Sequence, residues 1–357
     1  MTPATDQQRM LADAARQFAA AEHTPARLRA CRDRDPDFDR GIWQSIADLG
    51  WLGVLVPEED GGLGAGFGDM AQLVYAWGRA CAPEPLVACG VLAARTLVHA
   101  QGPARARLLE ALVAGECIPA LAAGEGEVKF ARGALHGTRR YVVPAHADGY
   151  LVQSDAGLWW VAKDAAGLRI EHERRADGSA AARLHLDDVR VGEAERVCDS
   201  AAPAERALDE ARVLAAVEMS GMMAAMLELT LDYLRTRVQF GKAIGSFQAL
   251  QHRAVDLYIA EQLARDVAQA ACATLDAGAA GEALALAAAR AKARAGESLD
   301  RIARETVQLH GAIGYTDEYA LGLYVNRALT LSPWLGNAAQ QRWRYARLAA
   351  PLEVLSA

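Results

Sequence analysis

At about 150 residues per domain, 357 residues leave room for two or three domains and a sizeable core. Apolar residues at 52% and charged residues at 23% are an ordinary globular balance, which excludes a mainly disordered chain, a collagen-like one and a coiled-coil rod. Lys+Arg 38 against Asp+Glu 45 leaves −7, so there is no basic field to draw in nucleic acid or anionic lipid. Six cysteines (Cys31, Cys81, Cys89, Cys117, Cys198, Cys272) are scattered without a CxxC pair. A chain this long builds a core without staples, and the expectation is reduced thiols in a cytoplasmic protein.

The first residues read as a helix rather than a leader. Asp6, Arg9 and Asp13 break any apolar run, which excludes a signal peptide. Thr5 to Gln8 has the form of a capping box, with Leu11, Ala14, Ala15 and Phe18 on one side of the helix it opens. Residues 1–118 are expected to form an N-terminal helical domain. Ile42–Leu49 has helical spacing, and 57–66, with four glycines and a proline, is a break no helix can cross. Residues 119–199 change character. Short β-like runs at 141–143, 149–152, 158–161 and 183–186, separated by Gly/Asp/Ala turns, predict a middle β domain. From 200 to 357 the pattern is helical again, with helices expected at 205–236, 248–277, 280–311 and 337–349 and a glycine turn at 311–314. Helices of some 30 residues, about 45 Å long, must pack along their length as a four-helix bundle. The fold class is therefore α+β, mainly α. No run of 18 apolar residues is free of charge, so no membrane span is expected.

Three motifs carry chemistry. The first is Gly50-Trp51-Leu52-Gly53 running on through Pro57 to Gly64. The second runs from Arg237 through Phe240, Gly241 and Lys242 to Gln248, followed by Gln251, His252 and Asp256. The third runs from Gln308 through His310, Gly311 and Gly314 to Tyr319. Arginine offers a planar fork for phosphate oxygens, and glycine lets backbone come close to a ligand. In this order and at these separations the motifs resemble the acyl-CoA dehydrogenase family, whose helical–β–helical order also matches. The resemblance implies a bound FAD that accepts a hydride from Cβ of an acyl-CoA thioester, a carboxylate that removes the α-proton, and an electron-transfer flavoprotein as acceptor. It implies an oligomer, dimer or tetramer, of like or unlike chains. Arg237, Phe240 and Gln248 match positions that hold the FAD pyrophosphate and adenosine of a neighbouring subunit. Gln308, Gly311 and Gly314 match the loop that approaches the same dinucleotide from the other side.

Two departures from the family pattern stand out. The stretch 135–148 is similar to the strand pair beneath the flavin, but the hydroxyl-bearing loop that usually precedes it reads Ala122-Ala123-Gly124-Glu125-Gly126-Glu127. The catalytic base is also missing. Counting from Arg327, the usual Glu position holds Leu335. A minority of members place the Glu before an Arg of the first bundle helix; that Arg is matched by Arg212, a substrate-binding position by resemblance, and the residue before it is Ala211. An aliphatic side chain takes no proton, and loss of a general base costs about 10²–10⁴-fold. Glu210 and Glu218 are the candidate substitutes. Glu210 is rotated about 100° from Ala211, and Glu218 shares its face roughly 10 Å along the axis. A lone carboxylate in an apolar stretch has a raised pKa unless it is paired with a bundle Arg.

Heteromeric bacterial members, associated with bulky steroid-like or ring-derived acyl-CoA, combine a subunit that carries the Glu with one that lacks it, and Leu335 fits the latter. The alternatives are a homo-oligomer with a relocated base, a flavin oxidase or monooxygenase of the same fold, and a degenerate non-catalytic interaction subunit. Retention of Arg237, Phe240, Gln248, Gln308 and Gly311 argues against the last.

Overall fold

The computed structural model describes residues 5–349. Helix α1 (Asp6–Glu22) opens on the expected capping box: the Thr5 hydroxyl accepts from the Gln8 amide at 3.1 Å, and the Gln8 side chain accepts from the Thr5 amide at 3.2 Å. Ala15 and Ala19 are buried with Leu11 and Phe18 beside them, while Ala14 turns outward. Helices α2 (Pro25–Arg32) and α3 (Arg40–Asp48) follow, α3 capped by the Asp39 carboxylate. The 57–66 break holds a single 3₁₀ turn at Glu58–Asp60. Helix α4 (Phe67–Ala80) begins where the Asp276 carboxylate accepts from the amides of Phe67 and Gly68, at 2.6 and 2.9 Å. A π-helical turn, Leu86–Ala93, runs into α5 (Ala94–His99), and α6 (Arg105–Val113) closes this region.

The expected β region holds eight strands: β1 (Pro119–Ala122), β2 (Val128–Ala131), β3 (Ala134–Val142), β4 (Gly149–Ser154), β5 (Gly157–Ala162), β6 (Leu168–Arg174), β7 (Ala180–Arg190) and β8 (Arg196–Cys198). They form two four-stranded sheets, ordered β1-β4-β5-β8 and β2-β3-β7-β6. The pair β1–β4 is parallel, with Pro119 opposite Gly149, and the other pairs are antiparallel. Both sheets feed one apolar core containing Ala120, Leu135, Tyr150, Trp159, Leu184 and Val189. Four of these strands, β1, β2, β6 and β8, lie outside the runs expected from sequence.

Helix α7 (Ala202–Thr236) is followed by a small hairpin, β9 (Val238–Gln239) with β10 (Lys242–Ala243), and then by α8 (Gln248–Asp276), α9 (Gly281–His310), α10 (Leu321–Leu331) and α11 (Ala338–Leu348). This is the expected C-terminal helical region, with α10 as an addition. Helix α7 has the length and apolarity to cross a membrane, but 83% of its apolar window is buried inside the protein, as in a core helix. Met222, Met223 and Met226 are fully buried on it.

The chain divides into two compact units. One holds the described parts of Met1–Ala30, Phe67–Ala82 and Arg212–Ala357; the other holds Cys31–Gly66 and Pro83–Ala211. In the first, α1 packs on α4 and α4 on α8, while α9 packs on α8 and α11. Glycine permits the closest of its helix crossings. A Cβ on Gly78 would stand 2.0 Å from the Glu218 carbonyl oxygen, and one on Gly221 would stand 2.1 Å from that of Tyr75, so α4 and α7 touch backbone to backbone. In the second unit the two sheets share their core and β1 lies against the π-helical turn.

Candidate active site

The end of α7, the β9–β10 hairpin, the start of α8 and the end of α9 enclose a groove of roughly 610 Å³. Arg237, Gln308 and Gly311, drawn from two separate motifs, line it together with Arg253 and His310. Arg237 sits just past the end of α7. Its amide donates to Tyr233 O and its carbonyl accepts from the Ile244 amide, both at 2.8 Å, so the hairpin fixes its backbone while its side chain stays exposed. Arg253 is committed to Glu305, 3.0 Å from its Nε. His310 is buried and clamped: its ring stacks on Tyr233, Nδ1 lies 2.8 Å from Thr306 O and Nε2 3.3 Å from the Tyr319 hydroxyl. Burial holds its pKa below the usual imidazole value. Gly311 has φ +65° with open space where a side chain would stand, which leaves its backbone bare.

The other three predicted contacts lie around this groove without lining it. Phe240, 91% exposed, is at the hairpin tip with its ring edge-on to Phe247. Gln248 is the exposed first residue of α8. Gly314 is buried, and a Cβ there would press on Val307 O at 3.1 Å; it lets the chain turn tightly back on α9. An exposed guanidinium, an exposed amide side chain and bare glycine backbone are a donor set suited to the phosphates and polar edge of a dinucleotide.

Leu335 sits after α10 with φ +60°, a conformation that costs a residue bearing a Cβ about 1–2 kcal/mol. The loop is held from below. Its carbonyl accepts from Arg212 Nε at 3.0 Å and from Gln341 Nε2 at 2.8 Å. Lys292, fully buried on α9, donates to Ser332 O at 2.7 Å and Gly336 O at 3.0 Å. Burial, aided by the Arg212 charge, lowers the Lys292 pKa to about 7. Nothing in the local sequence marked Lys292, because its carbonyl partners are 40 and 44 positions away. Ala211, at the second base position, is fully buried.

Both substitute carboxylates are engaged with charged partners. Glu218, 4% exposed, faces Arg327, with Oε1 2.8 Å from a guanidinium nitrogen. That is the arrangement of a buried ion pair, so Glu218 is not the lone carboxylate its apolar stretch suggested. Glu210 is held more tightly. Arg95 donates to it at 2.7 and 3.1 Å, His99 Nε2 lies at 2.9 Å and Arg206 Nε at 3.2 Å. Burial pushes this carboxyl up, but His99 and Arg95 outweigh it and bring the pKa down to about 2. A carboxylate with that pKa is ionised at neutral pH but is a weak proton acceptor.

The hydroxyl-poor loop after β1 has its own support. Arg139 on β3 donates to Gly124 O at 2.8 Å, Gly126 O at 2.6 Å and Gln153 O at 3.1 Å, so one buried guanidinium holds the loop through its carbonyls. Gly126 is required there, since a Cβ would meet Thr138 O at 2.4 Å.

The architecture and groove define a class: helical–β–helical proteins with a polar groove where helix ends meet. Residues 5–116 match the acyl-CoA dehydrogenase N-terminal domain and residues 202–349 the acyl-CoA dehydrogenase C-terminal domain. The chain is 32% identical to acyl-CoA dehydrogenase IpdE2 of Mycobacterium tuberculosis, over 92% of each chain. Among solved structures it is similar to a Tcur3481-Tcur3483 steroid ACAD variant, at 31% identity and TM-score 0.86 over 96% of this chain and 97% of that one. It is also similar to the ChsE4-ChsE5 complex of Mycobacterium tuberculosis, at 26% and 0.88 over 97% of each. The chain belongs to the acyl-CoA dehydrogenase family, a family of oxidoreductases.

Proposed function

We propose that this chain is a FAD-binding subunit for α,β-dehydrogenation of a bulky, steroid-like acyl-CoA thioester, with the α-proton taken by a carboxylate on a second, different chain. The observation that carries the reading is the state of its own acids. Leu335 and Ala211 occupy the two base positions, Arg327 claims Glu218, and Arg95, His99 and Arg206 claim Glu210. Bound FAD would supply the hydride acceptor for Cβ. Arg237, Phe240 and Gln248 would hold the pyrophosphate and adenosine of a neighbouring chain's FAD, and Gln308, Gly311 and Gly314 would approach the same dinucleotide from the other side. Arg212, tied to the Leu335 carbonyl, would set the loop that borders the thioester.

Assembly is supported from α8, where Val255, Tyr258, Ile259 and Leu263 are exposed at helical spacing and give an apolar face suited to another chain. The steroid ACAD and the ChsE4-ChsE5 complex are each named for two components, which supports an unlike partner and a steroid-like substrate. An electron-transfer flavoprotein is the acceptor this reading implies. Affinity purification from the native host tests it. The expected product is a yellow complex with a second family chain that carries a Glu at the position of Leu335. A homo-oligomer that is reduced by acyl-CoA unaided contradicts it.

A further inference from the structure

In the unit that carries the β-sheets, three separate segments bring imidazoles and carboxylates together. Asp35 and Asp37 lie between α2 and α3, His146 lies between β3 and β4, and His172 is on β6. Ligand atoms of Asp35, His146 and His172 all fall within 4.8 Å of one another. His146 Nδ1 stands 3.2 Å from Asp35 Oδ1, and its Nε2 stands 3.8 Å from Asp37 Oδ1. The two imidazole rings meet edge to face, 4.4 Å between centroids. Asp37 is anchored by its other oxygen, which accepts from the Ala180 amide at 2.7 Å. That leaves Oδ1 buried without a hydrogen-bond partner.

We propose that Asp35, His146 and His172 bind a divalent transition-metal ion of the zinc type, with Asp37 orienting His146, and that the ion clips the 33–39 loop to the sheet. Two imidazoles and one carboxylate select zinc-like ions over magnesium, which prefers an all-oxygen shell. Tetrahedral bonds of about 2.0–2.1 Å put ligands roughly 3.3 Å apart, so the set must contract modestly. Asp35, 80% exposed on a loop, is free to make that movement. Coordination through His146 Nδ1 leaves Nε2–H facing Asp37 Oδ1 across 3.8 Å. The same modest contraction would close that gap to a hydrogen bond, satisfy the buried oxygen and fix the ring, as a carboxylate does behind many metal-bound histidines. The site is separate from the groove at Arg237 and does not depend on the proposed dehydrogenation.

The test uses the untagged full-length chain, stripped with a chelator and titrated with Zn²⁺ against a chromophoric competitor. One saturable equivalent is expected, together with a rise in thermal midpoint, since an ion that binds only the folded state stabilises it. Mg²⁺ at the same concentration should give neither effect. His172→Gln and Asp35→Asn, both at exposed positions, should leave the metal-free midpoint unchanged and abolish the zinc shift. Asp37→Asn should weaken Zn²⁺ affinity about 10–100-fold. Failure to take up an equivalent, or an equivalent that persists in the His146→Gln/His172→Gln double variant, overturns the proposal.

Discussion

Glu210 illustrates how tightly a carboxylate beside a candidate catalytic position can be held. Its pKa is lowered from 4.5 to about 2, so its contribution to stability is complete above pH 4.5 and drains away as pH falls through 2. Glu210→Gln leaves Arg95 and His99 facing a neutral amide in a buried setting, which should cost about 3–5 kcal/mol at neutral pH. In denaturant titrations the gap between wild type and variant should narrow as pH is lowered from 4.5 towards 2; a gap that widens contradicts the assignment. Leu335 is the converse case, an aliphatic residue in a left-handed backbone whose carbonyl, rather than side chain, is held by Arg212 and Gln341. Such strain persists where the surroundings fix it, here through the Arg212 and Gln341 contacts to the loop.

The loop that carries Leu335 depends on α9 through Lys292, and the sign of its pH dependence is fixed. Lys292 has a folded pKa of about 7 against 10.5, so between these values the unfolded chain binds more protons and stability rises with pH. Lys292→Met removes this dependence. Relative to the variant, wild type should gain a few kcal/mol between pH 7 and 10, measured by chemical denaturation; a flat difference contradicts the buried charge. The α4–α7 crossing makes a separate demand. Gly78→Ala must push Glu218 O from 2.0 Å and should destabilise by about 1–3 kcal/mol, with Gly221→Ala similar and the pair non-additive because they share one crossing. A neutral Gly78→Ala would mean the helices are not in backbone contact.

Some elements were legible in the sequence because their causes are local. The Thr5–Gln8 capping box is written in four residues, and the long apolar periods of α7, α8 and α9 need no partner to be read. Others were not, because tertiary pairing overrides propensity. The Pro-Ala-Leu-Ala of β1 is a strand only through its pairing with β4, and α10 follows a turn without a side-chain cap to announce it.

At the scale of the whole molecule, the motifs anticipated the groove, since Arg237, Gln308 and Gly311 converge although they come from opposite ends of the bundle sequence. Phe240 and Gln248 are exposed beside it, as side chains intended for another chain would be. What the sequence hid were the pairings across distance: Glu218 with Arg327, 109 positions apart, and Glu210 with Arg95, 115 apart. Periodicity reports which face a residue occupies, not which charge meets it there. These ion pairs give each candidate base a charged partner, and the proposed function rests on them in looking to a second chain for the proton acceptor.

Anaerobic mixing with a steroid-type acyl-CoA, followed by flavin absorbance, tests that claim most directly. The flavin-loaded chain alone should bleach at least about 10²-fold more slowly than the same chain assembled with a Glu-bearing partner. Equal bleaching by the chain alone, at a rate that Glu218→Gln abolishes, would contradict it.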